Sequence, residues 1–180
     1  MKRPLVVHIT GPACAGKSTL IREVQETYPG VPSWDVGGFY EAHGCIHPKT
    51  KQLMFGPTKK ARKKLRGDLC DFLADGRRSG LDVMIVESSG INTTINELFA
   101  HPRMKPHIIE VCLMPEAEWI MVQRMTDDGL PVARLTQLNR KVAKAKKGEL
   151  QLDYNHALQN VRVLVETADL REQLNLEGVL

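Results

Sequence analysis

Eight consecutive residues near the amino terminus have the residue types needed to surround a phosphate group. They are Gly11, Pro12, Ala13, Cys14, Ala15, Gly16, Lys17 and Ser18, and they match the pattern G-x-x-x-x-G-K-[ST] at every fixed position. Glycines allow the backbone to curl so that successive N–H groups face inward. The lysine can reach the β- and γ-phosphates, and the serine hydroxyl can bind Mg²⁺. The segment therefore predicts a nucleoside triphosphate site.

The elements on both sides of this segment agree with that prediction. Leu5–Thr10 is apolar and rich in β-branched residues, which is typical of a buried strand. Residues 18–27 carry Leu20, Ile21 and Val24 at helical spacing. The positive end of this helix would face the phosphates. We therefore expect the loop, extended to Thr19, to bind the nucleotide.

The rest of the chain alternates apolar strand patterns with helical patterns. Further strands are predicted at 33–36, 81–87, 108–113 and 162–166, helices at 58–76, 115–126 and 132–147, and a β-hairpin at 39–56. Such alternation favours an α/β fold with a parallel sheet that helices cover on both faces. We find no internal repeat and no low-complexity linker, so we expect a single domain over residues 1–180.

With this motif and these elements, the sequence resembles the P-loop NTPase superfamily, in particular its small nucleoside, nucleotide and metabolite kinases. The resemblance covers most of the chain. It implies a five-stranded parallel sheet of order 2-3-1-4-5, with ATP and Mg²⁺ as cofactors. It also implies a substrate-binding insertion within 39–78 and a lid at about 124–147.

Two acidic residues lie where strands are predicted to end. Asp35 follows Lys17 by 18 residues, and Glu87 ends an apolar strand. Ligands of open α/β sheets bind at the carboxyl ends of strands. We expect Asp35 to orient or deprotonate the acceptor. We expect Glu87 to bind Mg²⁺ together with Ser18, or to contact the substrate.

Basic residues supply candidates for binding phosphate groups. The resemblance implies that Arg124, Arg134 or Arg140 is a lid arginine that stabilises the phosphoryl group during transfer. Arg62 belongs to a basic run in the predicted helix 58–76. That run is either a solvated helix face or a binding surface for a phosphate of the acceptor.

A second class of P-loop protein shares one feature with this chain. Glu87, Ser88, Ser89 and Gly90 are similar to the strand end of metallochaperone GTPases that mature nickel enzymes. That branch recognises guanine through Asn-Lys-x-Asp, a tetrapeptide that does not occur in this sequence. We therefore favour a kinase whose acceptor is a nucleoside or nucleotide, and we keep a GTPase or ATPase switch, or an assembly factor, as the alternative.

Composition limits the range of partners. The 180 residues have a formal net charge of +4, and aromatic residues make up 5% of the chain. Few aromatics leave little material for stacking bases, so we expect a small-molecule acceptor rather than nucleic acid. The longest apolar runs are far shorter than the roughly 20 residues that span a membrane. We therefore expect a cytoplasmic protein without a membrane partner, and the sequence does not predict its oligomeric state.

Overall fold

The computed structural model describes residues 3–44, 59–115 and 117–168. In these residues a central sheet is surrounded by helices. The strands are β1 (Leu5–Thr10), β2 (Ser33–Asp35), β3 (Val83–Glu87), β4 (Ile108–Leu113) and β5 (Gln151–Leu152). The helices are α1 (Lys17–Thr27), α2 (Val36–Ala42), α3 (Lys59–Arg78), α4 (Thr93–Ala100), α5 (Glu118–Asp127), α6 (Val132–Ala145) and α7 (Tyr154–Glu166).

The five strands are all parallel and lie in the order β2-β3-β1-β4-β5. This confirms the predicted α/β class and strand order. The register places Ile9 of β1 beside Glu87 of β3, and Asp35 of β2 beside Glu87 as well. Since parallel strands end at one edge of a sheet, the two predicted acids meet next to the loop that follows β1.

Successive side chains of β1 point to opposite faces of the sheet and pack into two core layers. Val7 and Ile9 face one layer, which includes α1 and α7. Val6 faces the other layer, where α2, α3 and α4 pack. Each strand of the sheet centre is therefore buried on both faces, which explains why β1 and β3 are almost continuously apolar.

The predicted hairpin at 39–56 is wrong where the structure describes it. Residues 39–42 belong to α2, which buries Phe39 and Tyr40. The helix begins because the Asp35 carboxylate accepts hydrogen bonds from the Gly37 and Gly38 amides and so caps its amino terminus. Residues 45–56 of the predicted hairpin lie outside the described residues.

The predicted strand at 162–166 is also wrong, because these residues form the end of α7. Asp153 caps this helix by accepting a hydrogen bond from the His156 amide at 2.9 Å. Its buried residues are spaced by one, three and four, as a helix requires: Ala157, Leu158, Val161 and Leu164. The fifth strand is instead the two-residue β5, which pairs with Cys112 and Leu113 of β4.

Candidate active site

The loop between β1 and α1 has a backbone that its glycines make possible. Gly11 has φ 143°, and a Cβ at this position would collide with the carbonyl oxygen of Leu113. Gly16 has φ 98° and caps α1. Both conformations favour glycine over other residues. The structure therefore places the predicted phosphate-binding loop at the carboxyl end of β1, in front of the amino terminus of α1.

Two side chains from α5 and α6 hold this loop in place. The Ala13 amide donates to Asn139 Oδ1 at 3.0 Å, and Asn139 Nδ2 donates to the Ala13 carbonyl at 3.3 Å. Arg124 Nη1 donates to the Cys14 carbonyl at 3.0 Å. Arg124 was predicted as a lid residue, and the structure places its guanidinium directly beside the loop.

Asn139 was not predicted as a functional residue, although the sequence contains a signal for such a role. It is buried, and it lies on the same side of α6 as Leu135 and Val142, which are four residues before and three residues after it. A polar residue within a stripe of apolar ones is expected to have a specific partner. The sequence does not say that this partner is Ala13, which is 126 residues away.

Lys17, Ser18 and Glu87 form a compact polar group. Lys17 Nζ donates to the Pro12 carbonyl at 2.8 Å and lies 3.8 Å from Glu87 Oε1. Ser18 Oγ is 3.1 Å from Glu87 Oε2 and 3.3 Å from Oε1. Burial lowers the pKa of Lys17 and raises the pKa of Glu87, and each charge opposes the shift of the other. A hydroxyl and a carboxylate are donors that Mg²⁺ prefers, so Ser18 and Glu87 fit this ion.

Asp35 lies beside this group on the neighbouring strand. Its Oδ1 accepts from the Gly37 amide at 2.8 Å, and its Oδ2 accepts from the Gly38 amide at 2.7 Å. Asp35 is also one of the charges that raise the pKa of Glu87. The residue is exposed, so its carboxylate, although it caps α2, still faces solvent.

Two cavities meet at these residues. The first, of about 850 Å³, runs along the loop and is here called the loop cavity; it includes Ser18, Thr19, Arg124 and Tyr154. The second, of about 420 Å³, lies between α2, α3 and α4 and is here called the α2–α4 cavity. Residues that line both are Ala13, Lys17, Asp35, Gly37 and Glu87.

The α2–α4 cavity has several polar side chains on a mainly apolar surface, and the sequence did not reveal these side chains as a group. Arg62, a predicted substrate residue, lines it together with Tyr40, Ser88, Asn92 and Thr94. Asn92 Nδ2 donates to the Tyr40 hydroxyl at 2.9 Å, so these two side chains fix each other. Asn92 also caps α4, a helix that the sequence analysis did not predict.

Arg140 and Arg134 are the other two predicted lid arginines. Arg140 Nε donates to Glu118 Oε1 at 3.2 Å in an exposed ion pair, and Arg140 is not among the residues that line either cavity in the described part of the chain. Arg134 lies on α6, but its side chain is outside the described residues. Arg124 is therefore the predicted arginine that the structure brings to the phosphate-binding loop.

A buried histidine supports the strand ends beneath the site. His8 Nε2 and Ser88 Oγ lie 2.8 Å apart, and Ser88 Oγ also accepts from the Gly90 amide at 3.0 Å. Burial lowers the pKa of His8 from its ordinary 6.5 to about 4. His8 is therefore neutral at physiological pH and links β1 to the turn after β3.

Across the described ranges, none of the helices combines the length and the apolar character that crossing a membrane requires.

Comparisons with known proteins give matches in structure. No protein-family model matches the chain, and no curated protein matches it. A gluconokinase from Sinorhizobium meliloti superposes with a TM-score of 0.57 at 17% identity, over 99% of this chain and 98% of that one. A sugar kinase from Janibacter sp. gives 0.61 at 20% identity, over 92% of each chain.

A third solved structure agrees with these two. The shikimate kinase from Bacteroides thetaiotaomicron superposes with a TM-score of 0.56 at 15% identity, over 90% of this chain and 98% of that one. Sequence identities this low establish the fold alone. Together with the strand order and the loop after β1, these matches show that the chain has the fold of the P-loop small-metabolite kinases.

Proposed function

We propose that the protein is a kinase that transfers the γ-phosphoryl group of ATP to a hydroxyl of a small metabolite. The observation that carries this proposal is the meeting of two cavities at Lys17, Asp35 and Glu87. A phosphotransferase needs a donor site and an acceptor site that share the place where the phosphoryl group moves. The loop cavity would take the donor, and the α2–α4 cavity would take the acceptor.

On the donor side, the loop amides and Lys17 bind the phosphates of ATP. Ser18 and Glu87 would hold Mg²⁺, which when bound neutralises phosphate charge. The Arg124 guanidinium lies against the Cys14 carbonyl, so it is placed to stabilise negative charge that develops on the transferred group. Asn139 keeps the Ala13 peptide in position.

On the acceptor side, Asp35 accepts the proton of the attacking hydroxyl or orients that hydroxyl toward the γ-phosphate. The two amides that donate to its oxygens fix the orientation of the carboxylate relative to the acceptor. Catalysis in this class of reaction depends on position and charge neutralisation more than on covalent chemistry.

The lining of the α2–α4 cavity favours an acceptor with several hydroxyls. Asn92, Thr94 and Ser88 offer hydrogen-bond donors and acceptors, and Arg62 offers a positive charge for a carboxylate or phosphate. The structural neighbours include a gluconokinase, a sugar kinase and a shikimate kinase, which supports a small-metabolite acceptor. The second candidate is a nucleotide, whose phosphate Arg62 could equally bind, or a nucleoside, whose sugar hydroxyls the polar side chains of the cavity could bind.

The proposal is tested by an acceptor screen followed by a variant. Sugars, sugar acids, nucleosides and nucleotides are incubated with ATP, Mg²⁺ and the protein, and phosphorylated products are identified by mass spectrometry. For the acceptor found, Arg62→Ala should raise KM about tenfold if the acceptor is anionic. The matched control is Lys60→Ala, an exposed residue two positions earlier on α3. A protein that hydrolyses ATP slowly and phosphorylates none of these compounds would instead be a switch.

A further inference from the structure

A third cavity lies at the other end of the sheet. It has a volume of about 410 Å³, and it is lined by Pro4 and Val6 at the start of β1, by α3, and by the segment after α4. The phosphate-binding loop follows the opposite end of β1, a strand of six residues and so about 20 Å long. This cavity is therefore separate from the two that meet at Lys17.

Four arginines contribute to the lining of this cavity, here called the arginine cavity. Arg3, Arg66, Arg77 and Arg103 all line it, and no aspartate or glutamate is among its lining residues in the described part of the chain. Arg3 Nη1 donates to the Arg103 carbonyl, which holds these two residues together.

Three of the four guanidiniums, two on α3 and one in the segment after α4, have no partner in the described part of the chain, unlike Lys64 and Arg78 of α3. Lys64 pairs with Asp68, and Arg78 pairs with Asp75. Within residues 3–44, 59–115 and 117–168, the structure gives the side chains of Arg66, Arg77 and Arg103 neither a hydrogen bond nor an ion pair. Positive charges that converge on one cavity without acidic partners attract anions.

The floor of the arginine cavity is apolar. Val6 is buried at the start of β1, and Leu73 and Leu98 approach it from α3 and α4. A cavity of this volume is within the range of about 300 to 1,000 Å³ that small-molecule sites have. A nucleic acid backbone, by contrast, would need an extended charged surface rather than a cavity with an apolar floor.

We propose that the arginine cavity binds a small ligand that joins an anionic group, phosphate or carboxylate, to an apolar body. The guanidiniums would form charge-assisted hydrogen bonds with the anionic group. Val6, Leu73 and Leu98 would cover the apolar body. This site lies outside the donor and acceptor sites, so the small ligand can bind while the donor and the acceptor are also bound.

The test uses phenyl phosphate as a probe in isothermal titration calorimetry. The full chain is first saturated with Mg²⁺ and a non-hydrolysable ATP analogue, so that the phosphate-binding loop is blocked. We expect phenyl phosphate to bind about tenfold more tightly than either inorganic phosphate or phenol, because it alone uses both halves of the cavity. Equal affinity for phenyl phosphate and inorganic phosphate would overturn the proposal.

Paired variants show where the probe binds. Arg66→Ala combined with Arg77→Ala should weaken phenyl phosphate binding at least about tenfold. Lys63→Ala combined with Arg78→Ala removes the same charge from the same helix outside the cavity, and should change the affinity less than about twofold. Equal losses in the two pairs would mean that the probe responds to general surface charge, which contradicts the proposal.

A second variant tests the apolar half without removing charge. Ala74 lines the cavity and is partly exposed, so Ala74→Leu should fill the space needed by the phenyl ring. We expect it to weaken phenyl phosphate about tenfold while the weak binding of inorganic phosphate is retained. Thermal melting confirms that each variant is folded before its titration is interpreted. Unchanged phenyl phosphate affinity in folded Ala74→Leu would overturn the site.

Discussion

Asn139 binds both backbone polar groups of Ala13, accepting from its amide at 3.0 Å and donating to its carbonyl at 3.3 Å. Asn139 is buried in α6, and Ala13 lies within the phosphate-binding loop. The loop conformation therefore depends on a helix far away in sequence. This contact connects the segment predicted as a lid with the donor site.

The first prediction follows from this contact. Asn139→Ala removes the partner of a loop peptide, so ATP should bind about tenfold more weakly, as expected when a partly buried polar group loses its hydrogen bonds. Calorimetric titration of the nucleotide measures the change. Gln137→Ala, at an exposed position of the same helix, should leave the affinity unchanged. Equal ATP affinity in Asn139→Ala and the wild type would show that the loop holds its own conformation.

The second prediction concerns Arg124 and Arg140, which were both candidates for the lid arginine. Arg124 donates to the Cys14 carbonyl, whereas Arg140 forms an exposed ion pair with Glu118. Arg124→Ala should lower turnover about a thousandfold, the scale of a transition-state arginine, while ATP affinity should fall by at most about tenfold through the lost loop contact. Arg140→Ala should stay within about twofold of the wild type. Steady-state kinetics of both variants measure the turnover. A larger loss of turnover in Arg140→Ala than in Arg124→Ala would make Arg140 the transition-state arginine.

The third prediction concerns the charge of Asp35. Asp35→Asn keeps one of the two cap hydrogen bonds of α2, because the asparagine oxygen still accepts from a backbone amide whereas its nitrogen cannot. Acceptor-dependent turnover should nevertheless fall by about 10² to 10⁴, the range for a positioned base. Asp153→Asn, the same change at the cap of α7, serves as the control because its residue lies outside both cavities. Unchanged acceptor-dependent turnover in Asp35→Asn would show that Asp35 acts only as the cap of α2.

The fourth prediction is a pH dependence of stability. The pKa of His8 is about 4 in the folded chain and about 6.5 when His8 is exposed, so the folded state binds fewer protons. The contribution of His8 is therefore present above pH 6.5 and is lost as the pH falls toward 4. Between pH 7 and pH 4.5 the loss should be about 2 kcal/mol in the free energy of unfolding.

Denaturant unfolding of the wild type and of His8→Gln at both pH values measures this contribution. Glutamine can still donate to or accept from Ser88 but does not titrate. The difference in stability between the two proteins should therefore shrink or change sign at the lower pH. A constant difference would mean that the pKa of His8 is the same in the folded and unfolded chains.

Local sequence carried enough information for much of the fold. Leu5–Thr10 and the residues after it were predicted correctly because a buried strand and a glycine-rich turn are local patterns. The strand order came from the resemblance, and the structure confirms it. Asp35 and Glu87 were each expected where a strand ends, and the register of β2 and β3 places them side by side.

The predictions that were wrong or missing depend on contacts between residues that are far apart in the sequence. Val163 and Val165 suggested a strand because β-branched residues favour strands, but α7 buries Val161 and Leu164 against the sheet. The lining of the α2–α4 cavity brings together Tyr40, Arg62 and Asn92, which belong to three separate elements. A single sequence contains no local signal for such a meeting.

The most direct test of the proposed kinase compares the products formed from labelled ATP. The protein is incubated with γ-³²P-labelled ATP, Mg²⁺ and the acceptor that the screen identifies, and ADP, phosphorylated acceptor and inorganic phosphate are quantified together. The account predicts one phosphorylated acceptor for each ADP, and no product in Lys17→Ala, whose loop cannot bind the γ-phosphate properly. Release of the label as inorganic phosphate, at a rate that the acceptor does not change, would contradict the account.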